Sequence, residues 1–202
     1  QPQTFEILEL CKKYLKNANV KILSSFGFNA PVDKSHRLRN LNLAGGAILD
    51  VGCYPLSMAR LIAGTLNDEK YLDPKSIEVK GILDTTGVDN KSSANLIFSD
   101  NISAYIETSI NEELQNNLII KSDKVEIEVF EPWHCGQFQE GKYSIELNLE
   151  GKKTIISNKD EVGLFTREIN EASKCILLGD SESSLMSHKD RLGNMLWVEK
   201  WY

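Results

Sequence analysis

The segment over residues 45–64, GGAILDVGCYPLSMARLIAG, limits what this chain can become more than any other stretch. Ala47, Ile48, Leu49, Val51, Leu56, Met58, Ala59, Leu61 and Ile62 make it apolar on nearly every side. A helix of that kind is buried. Two polar groups break the pattern. Asp50 and Tyr54 stand four residues apart, a spacing that stacks two side chains on one helical face. A carboxylate and a phenol on a buried helix need partners, or a cleft to face. They are satisfied core groups or they are a site, and the segment alone leaves both open.

Pro55 complicates the helix, because proline has no N–H for the carbonyl of Val51 and presses against it. The helix therefore kinks near Pro55 or restarts with Pro55 in its first turn. Gly45 and Gly46 permit a sharp turn or a close backbone approach at the entrance. Gly64 stands where a glycine closing the helix is expected.

With 202 residues the chain can form one large domain with a real core. A net charge of -6 leaves no electrostatic footprint for nucleic acid or an anionic membrane. No apolar run is expected to reach membrane-spanning length, and the N-terminus does not read as a signal peptide. Cys11, Cys53, Cys135 and Cys175 are scattered without CxxC spacing. Neither a disulfide framework nor a zinc site is expected, and a reducing compartment, the cytoplasm, fits.

Helical spacing predicts a helix over 4–15, with Phe5, Leu8, Leu10, Cys11 and Leu15 recurring and lysines at its C-terminal end. A strand follows over 20–28. After the organising segment the chain reads as strands over 77–83, 93–99, 102–110, 117–122, 124–130, 142–149 and 153–157. Turn signals separate them, and short connections predict antiparallel pairing. Val125, Ile127 and Val129 alternate with Glu126 and Glu128, which predicts one buried face and one polar face. Helices return over 164–178, closed by Gly179, and over 188–201, with Leu192, Met195, Leu196 and Val198 inward. The fold class is α+β: a large, mostly antiparallel open sheet with helices packed on one face. The other face invites burial by self-association, usually two-fold.

Gly45, Gly46, Asp50, Gly52 and Tyr54, followed by Pro55, resemble in order and spacing the signature helix of the Gfo/Idh/MocA oxidoreductases. Cys53-Tyr54-Pro55 is most similar to the Tyr-type branch of glucose–fructose oxidoreductase, xylose dehydrogenase and dihydrodiol dehydrogenase. The opening QPQTFEILELCKKYL looks like the helix that follows that family's dinucleotide-binding domain. The closing helical pattern resembles the family's C-terminal helices, so the likeness runs from Gln1 to Trp201. No GxGxxG fingerprint and no Glu-Lys-Pro motif is present. The resemblance implies the C-terminal domain of a longer enzyme. Residues 1–17 would form a helix at the junction with a dinucleotide-binding domain. Residues 18–202 would form a domain for substrate binding and oligomerisation.

The chemistry implied is hydride transfer between NAD or NADP, held mainly by the other domain, and a secondary alcohol or carbonyl of a sugar, polyol or related compound. Tyr54 would move the proton and Asp50 would orient a substrate hydroxyl or the family's lysine. An ordinary phenol, with a pKa near ~10, needs a nearby cation to act as a base at neutral pH. Arg37 and Arg39 are candidates to reach the cofactor or substrate, although solvated loop charges explain them equally. Trp133 is a candidate sugar-stacking ring or a packing group. Loop 133–139 is the expected source of specificity. No metal is expected, because His134 and Cys135 lack further ligands at useful spacing. Cys53 is a reactive thiol or a small core residue. The expected partners are a small sugar- or polyol-like substrate and copies of the same chain, as a homodimer or homotetramer through the sheet face. The rival readings are a non-catalytic ligand-binding or scaffold domain assembling through that face, and an unrelated α+β module in which Asp50 and Tyr54 are structural.

Overall fold

The computed structural model describes residues 1–137 and 140–202. An N-terminal helix α1 (Pro2–Tyr14) leads into strand β1 (Val20–Gly27). Two short 3₁₀ turns (Arg37–Arg39, Leu41–Leu43) and a π turn (Ile48–Gly52) precede helix α2 (Cys53–Leu66). Strands β2 (Ser76–Leu83), β3 (Asp89–Ser99) and β4 (Ile102–Ser109) follow. Next come β5 (Asn117–Lys121), β6 (Val125–Phe130), β7 (Lys142–Leu149) and β8 (Lys152–Lys159), then helices α3 (Thr166–Leu178) and α4 (His188–Trp201). Every predicted helix and strand is present, with ends shifted by at most four residues.

The strands form one eight-stranded sheet in the order β2-β3-β4-β1-β5-β6-β7-β8. The pairs β2–β3, β3–β4, β5–β6, β6–β7 and β7–β8 are antiparallel, as expected, and so is β1–β5. Among the described residues only β1 and β4, which the β2–β3 excursion separates, pair in parallel, with Val20 opposite Ile102. Period-2 alternation sends Val20 and Ile22, Ala104 and Ile106, Leu118 and Ile120, and Ile127 and Val129 to one face. There they form one core with Ile7, Cys11 and Leu15 from the α1 end, Leu56, Ala59 and Ile62 from α2, and Trp197 and Trp201 from α4. The opposite face carries Leu23, Tyr105 and Ile119 half-buried among lysine, glutamate and serine. The α+β architecture with helices on one sheet face is therefore observed.

Three expectations need correction. Gly64 does not close α2, which runs to Leu66; it lies inside the helix, where a Cβ would fall 2.6 Å from the Cα of Tyr71. Leu192, Met195 and Leu196 of α4 are exposed, and the inward residues are Gly193, Trp197, Val198 and Trp201. Gly193 faces the buried Arg60, which pairs with Asp73 at 2.8 Å, and any side chain at 193 would collide with that guanidinium. Finally, the run Leu41–Leu66, with mean hydropathy 1.2, is long and apolar enough to cross a membrane. Most of it is buried against the sheet, as expected of the central helix of a core.

Candidate active site

The organising segment is not one regular helix. Residues Ile48–Gly52 form a π turn, and α2 starts at Cys53 with Pro55 in its first turn. Of the two predicted outcomes at Pro55, restart is the one observed. Pro55 cannot donate to Val51, and the widened turn before it absorbs the lost hydrogen bond. π turns of this kind concentrate at functional sites. The entrance depends on Gly46, whose φ of +118° suits glycine alone. Its carbonyl accepts the Asp50 amide at 3.2 Å.

Asp50 and Tyr54 project near each other from this junction. The Asp50 side chain is 15% exposed and its Oδ1 accepts from Arg37 Nη1 at 2.6 Å, while Arg37 remains 64% exposed. Tyr54 is 49% exposed. Its ring stands edge-on to Phe26 at 5.4 Å between centroids and 6.4 Å from the Trp133 ring. Phe26 and Trp133 stack at 5.6 Å, and Trp133 Nε1 donates to the Ser25 carbonyl at 2.8 Å. The result is an aromatic shelf that restricts the Tyr54 ring from one side. His134 completes the shelf, edge-on to Phe26 and 3.2 Å from Glu131. Burial, then the Cys53 sulfur and the carboxylates of Glu168 and Asp50, push the Tyr54 phenol above its ordinary value of 10.0. None of these groups is a cation, the kind of neighbour that would lower it.

Tyr54 opens onto a groove of about 980 Å³ between α1, α2 and α4. Cys53, Ser57 and Met58 line it with Phe5, Trp133 and Met195, and Asp50 lies outside that lining. Burial pushes the Cys53 thiol up, as for a small packed residue. Arg39 is drawn elsewhere: its Nη1 pairs with Asp84 at 3.0 Å and also donates to Asn90. It fastens the β2–β3 turn rather than joining Asp50. Of the 133–139 loop, residues 138 and 139 lie outside the described residues, and Trp133 is buried at the shelf. Among the described residues, no group of three or more His, Cys, Asp or Glu side chains is arranged to hold a metal.

Phe26 and Asp89 are absent from the sequence-based site. Phe26 reads as an ordinary strand residue, and only the position of β1 beneath α2 brings it to Tyr54. Asp89 begins β3 earlier than the apolar alternation suggests, in a polar run, and is buried against Gly46.

The family model described as GFO/IDH/MocA C-terminal domain matches residues 19–130. The chain belongs to the Gfo/Idh/MocA family. Within it, the chain is 28% identical to trans-1,2-dihydrobenzene-1,2-diol dehydrogenase of Xenopus laevis over 169 residues, which is 81% of the chain and 48% of that enzyme. It is 33% identical to D-xylose 1-dehydrogenase (NADP(+)) 2 of Haloferax volcanii over 108 residues, covering 54% of the chain and 31% of that enzyme. The aldose-aldose oxidoreductase of Caulobacter crescentus, solved with glycerol, superposes with a TM-score of 0.79 at 19% identity, covering 100% of the chain and 58% of that structure. That last likeness concerns the fold. The chain spans about half the length of the curated dihydrodiol dehydrogenase it matches, at 48%. It is a C-terminal domain of the Gfo/Idh/MocA oxidoreductase family, with the signature segment forming its π turn and α2.

Proposed function

We propose that this domain forms the substrate side of an NAD(P)-dependent oxidoreductase acting at a secondary alcohol or carbonyl of a sugar, polyol or related diol. The observation that carries the reading is the junction of the π turn and α2, which sets Asp50 on the turn and Tyr54 at a groove with an aromatic wall. The sequence has no glycine-rich strand-to-helix turn to cradle a pyrophosphate, so Tyr54 and Asp50 would meet a dinucleotide at its nicotinamide end, with its phosphates held elsewhere. The nicotinamide, when bound, takes up or gives the hydride.

The chain's own residues supply the rest. Tyr54 moves the proton of the reacting hydroxyl, a contribution of about 10²–10⁴-fold for a well-placed acid–base group. Its raised pKa keeps it protonated near neutrality, which suits donation to a carbonyl. Removing a proton from an alcohol needs a cation brought beside it. Asp50, held by Arg37, accepts a second hydroxyl of the substrate through a charge-assisted hydrogen bond. Arg37, being exposed, is also available to an anionic group of cofactor or substrate. The Phe26–Trp133 shelf takes the apolar face of a ring. Leu23, Tyr105 and Ile119 on the open sheet face support assembly into a homodimer or homotetramer.

The test is made on the protein carrying this chain together with a nucleotide-binding half. NADH and NADPH are titrated by fluorescence, then sugars, polyols and cyclic diols are screened for cofactor reduction. Turnover that drops by about 10² or more in Tyr54→Phe supports the reading. Nucleotide binding with turnover unchanged in Tyr54→Phe removes Tyr54 from the chemistry. A folded protein that binds neither nucleotide favours the scaffold role of the sheet face.

A further inference from the structure

We propose that Asp89 and Thr108 are positioning residues for Asp50, pinning the one peptide unit on which the π turn is built. The inference rests on the role given to Asp50 above. The two residues reach the turn from adjacent strands, Asp89 at the start of β3 and Thr108 near the end of β4. Asp89 is 4% exposed, and its Oδ2 accepts from the Ile48 amide at 2.9 Å. Thr108, fully buried, donates its hydroxyl to the Ala47 carbonyl at 3.2 Å. The Ala47 carbonyl and the Ile48 amide belong to one rigid peptide plane. With both ends held, that plane cannot rotate, and Asp50 follows two residues later with its amide on the Gly46 carbonyl at 3.2 Å.

Two glycines of the segment follow from the same clamp. A Cβ on Gly46 would lie 2.1 Å from Asp89 Oδ1, so the carboxylate fills the space a side chain would need. A Cβ on Gly52 would lie 3.0 Å from the Trp201 ring and 3.4 Å from Thr108 Cγ2. The turn is thus closed at its start by Asp89 and at its end by Thr108 and Trp201. Asp89 Oδ1 is buried with no hydrogen-bond partner among the described residues, so the carboxylate meets the turn through its other oxygen. Burial raises the acid to about 6, with the amides of Ile48, Asp89 and Ala47 offsetting part of the rise.

The test uses Asp89→Ala, Asp89→Asn, Thr108→Val and Thr108→Ser in the protein carrying this chain with its nucleotide-binding half. Amide exchange is read at Ile48, with β1 amides as the control for global stability. Values of kcat and KM are read at saturating cofactor. Asp89→Ala is expected to speed exchange at Ile48 by about 10-fold, the worth of one buried hydrogen bond. Asp89→Ala and Thr108→Val are expected to lower kcat by roughly 10–100-fold with little change in KM, the signature of a misplaced group. Asparagine keeps an acceptor for Ile48 and serine keeps a donor for Ala47, so both return kcat to within about 3-fold. Faster exchange at Ile48 with kcat unchanged overturns the positioning role while leaving the functional reading standing. Equal loss in all four variants, in step with thermal stability, also overturns it, because that is the behaviour of a merely structural contact. A wild-type protein that reduces neither cofactor with any sugar or diol is a failure of the functional reading, visible before any variant is compared, and it removes the reaction for which Asp50 would be positioned.

Discussion

Helices α2 and α3 are of nearly equal length, 14 and 13 residues, and both carry apolar side chains at helical spacing, yet they live in opposite environments. α2 buries nine of its residues, with Leu56, Ala59 and Ile62 in the core beneath the sheet. α3 buries none; Ile176 is 76% and Leu177 86% exposed. The difference lies in how each is fastened. α2 is held along its length by packing, and the π turn that leads into it is held by the Asp89–Ile48 contact. α3 is held at its ends by polar groups. Arg167 grips Asp160 through two contacts of 2.7 and 3.0 Å, Glu171 accepts from Ser183 at 2.5 Å, and Gly179 adopts the left-handed conformation that closes the helix. An apolar stripe commits a helix to having a partner, but it does not say where in the chain that partner lies.

The largest expected effect breaks this comparison directly. Leu56→Ala removes a fully buried side chain and is expected to cost about 2–5 kcal/mol. Ile176→Ala removes an exposed one and should change stability by less than ~0.5 kcal/mol. Urea denaturation of the two variants decides it, and similar losses would mean that α3 is packed in solution. The next effect concerns pH, where the two fastenings have opposite sign. Asp89 is raised in the folded state from 3.8 to about 6, which corresponds to roughly 3 kcal/mol at about 1.36 kcal/mol per unit. The folded state therefore binds this proton more readily than the unfolded chain does. Stability from this group falls as pH rises from about 4 to about 6. Asp160 is lowered, first by the Arg167 hydrogen bonds, so its contribution is present above its unfolded value and lost as pH falls through the folded one. Melting curves against pH should flatten over the upper window in Asp89→Asn and over the acid window in Asp160→Asn. A wild-type slope that survives both changes would assign the pH dependence to other groups.

The sheet and the helices were legible because strands of period 2 and helices of period 3.6 write their buried faces locally. Val125 to Phe130 shows it: Ile127 and Val129 face the core where alternation put them. Asp50 and Tyr54 were legible for the same local reason, as polar groups in an apolar run. What failed depended on a distant neighbour. α4 turns Gly193 and Trp197 inward, rather than Leu192 and Met195, because Arg60 of α2 needs the space that a glycine leaves. Phe5 on α1 looked like a core residue and is exposed, while Gln3 and Ile7 are buried. Phe26 and Asp89 lie on strands far from Tyr54 in sequence, and no periodicity within a strand states which helix will cross above it. Pro55 announced an irregularity, but the π turn that resolves it requires Asp89 and Thr108 from two other strands.

The smallest expected effect joins the two helices. Tyr54 stands at the start of α2, and the Glu168 carboxylate in the first turn of α3 is among the groups that raise its phenol, after burial and Cys53. α3 therefore touches the candidate site electrostatically even though none of its residues is buried. Glu168→Gln should move the Tyr54 ionisation down toward 10.0, and Ile176→Ala, which removes no charge, should leave it in place. The readout is phenolate absorbance during an alkaline titration, with Tyr54→Phe subtracted to isolate this one tyrosine. Because the phenol is neutral in both folded and unfolded chains near pH 7, the shift carries no stability term there, and any change in melting would report something other than this charge. An unmoved titration in Glu168→Gln would leave burial, Cys53 and Asp50 as the whole cause and separate α3 from the site.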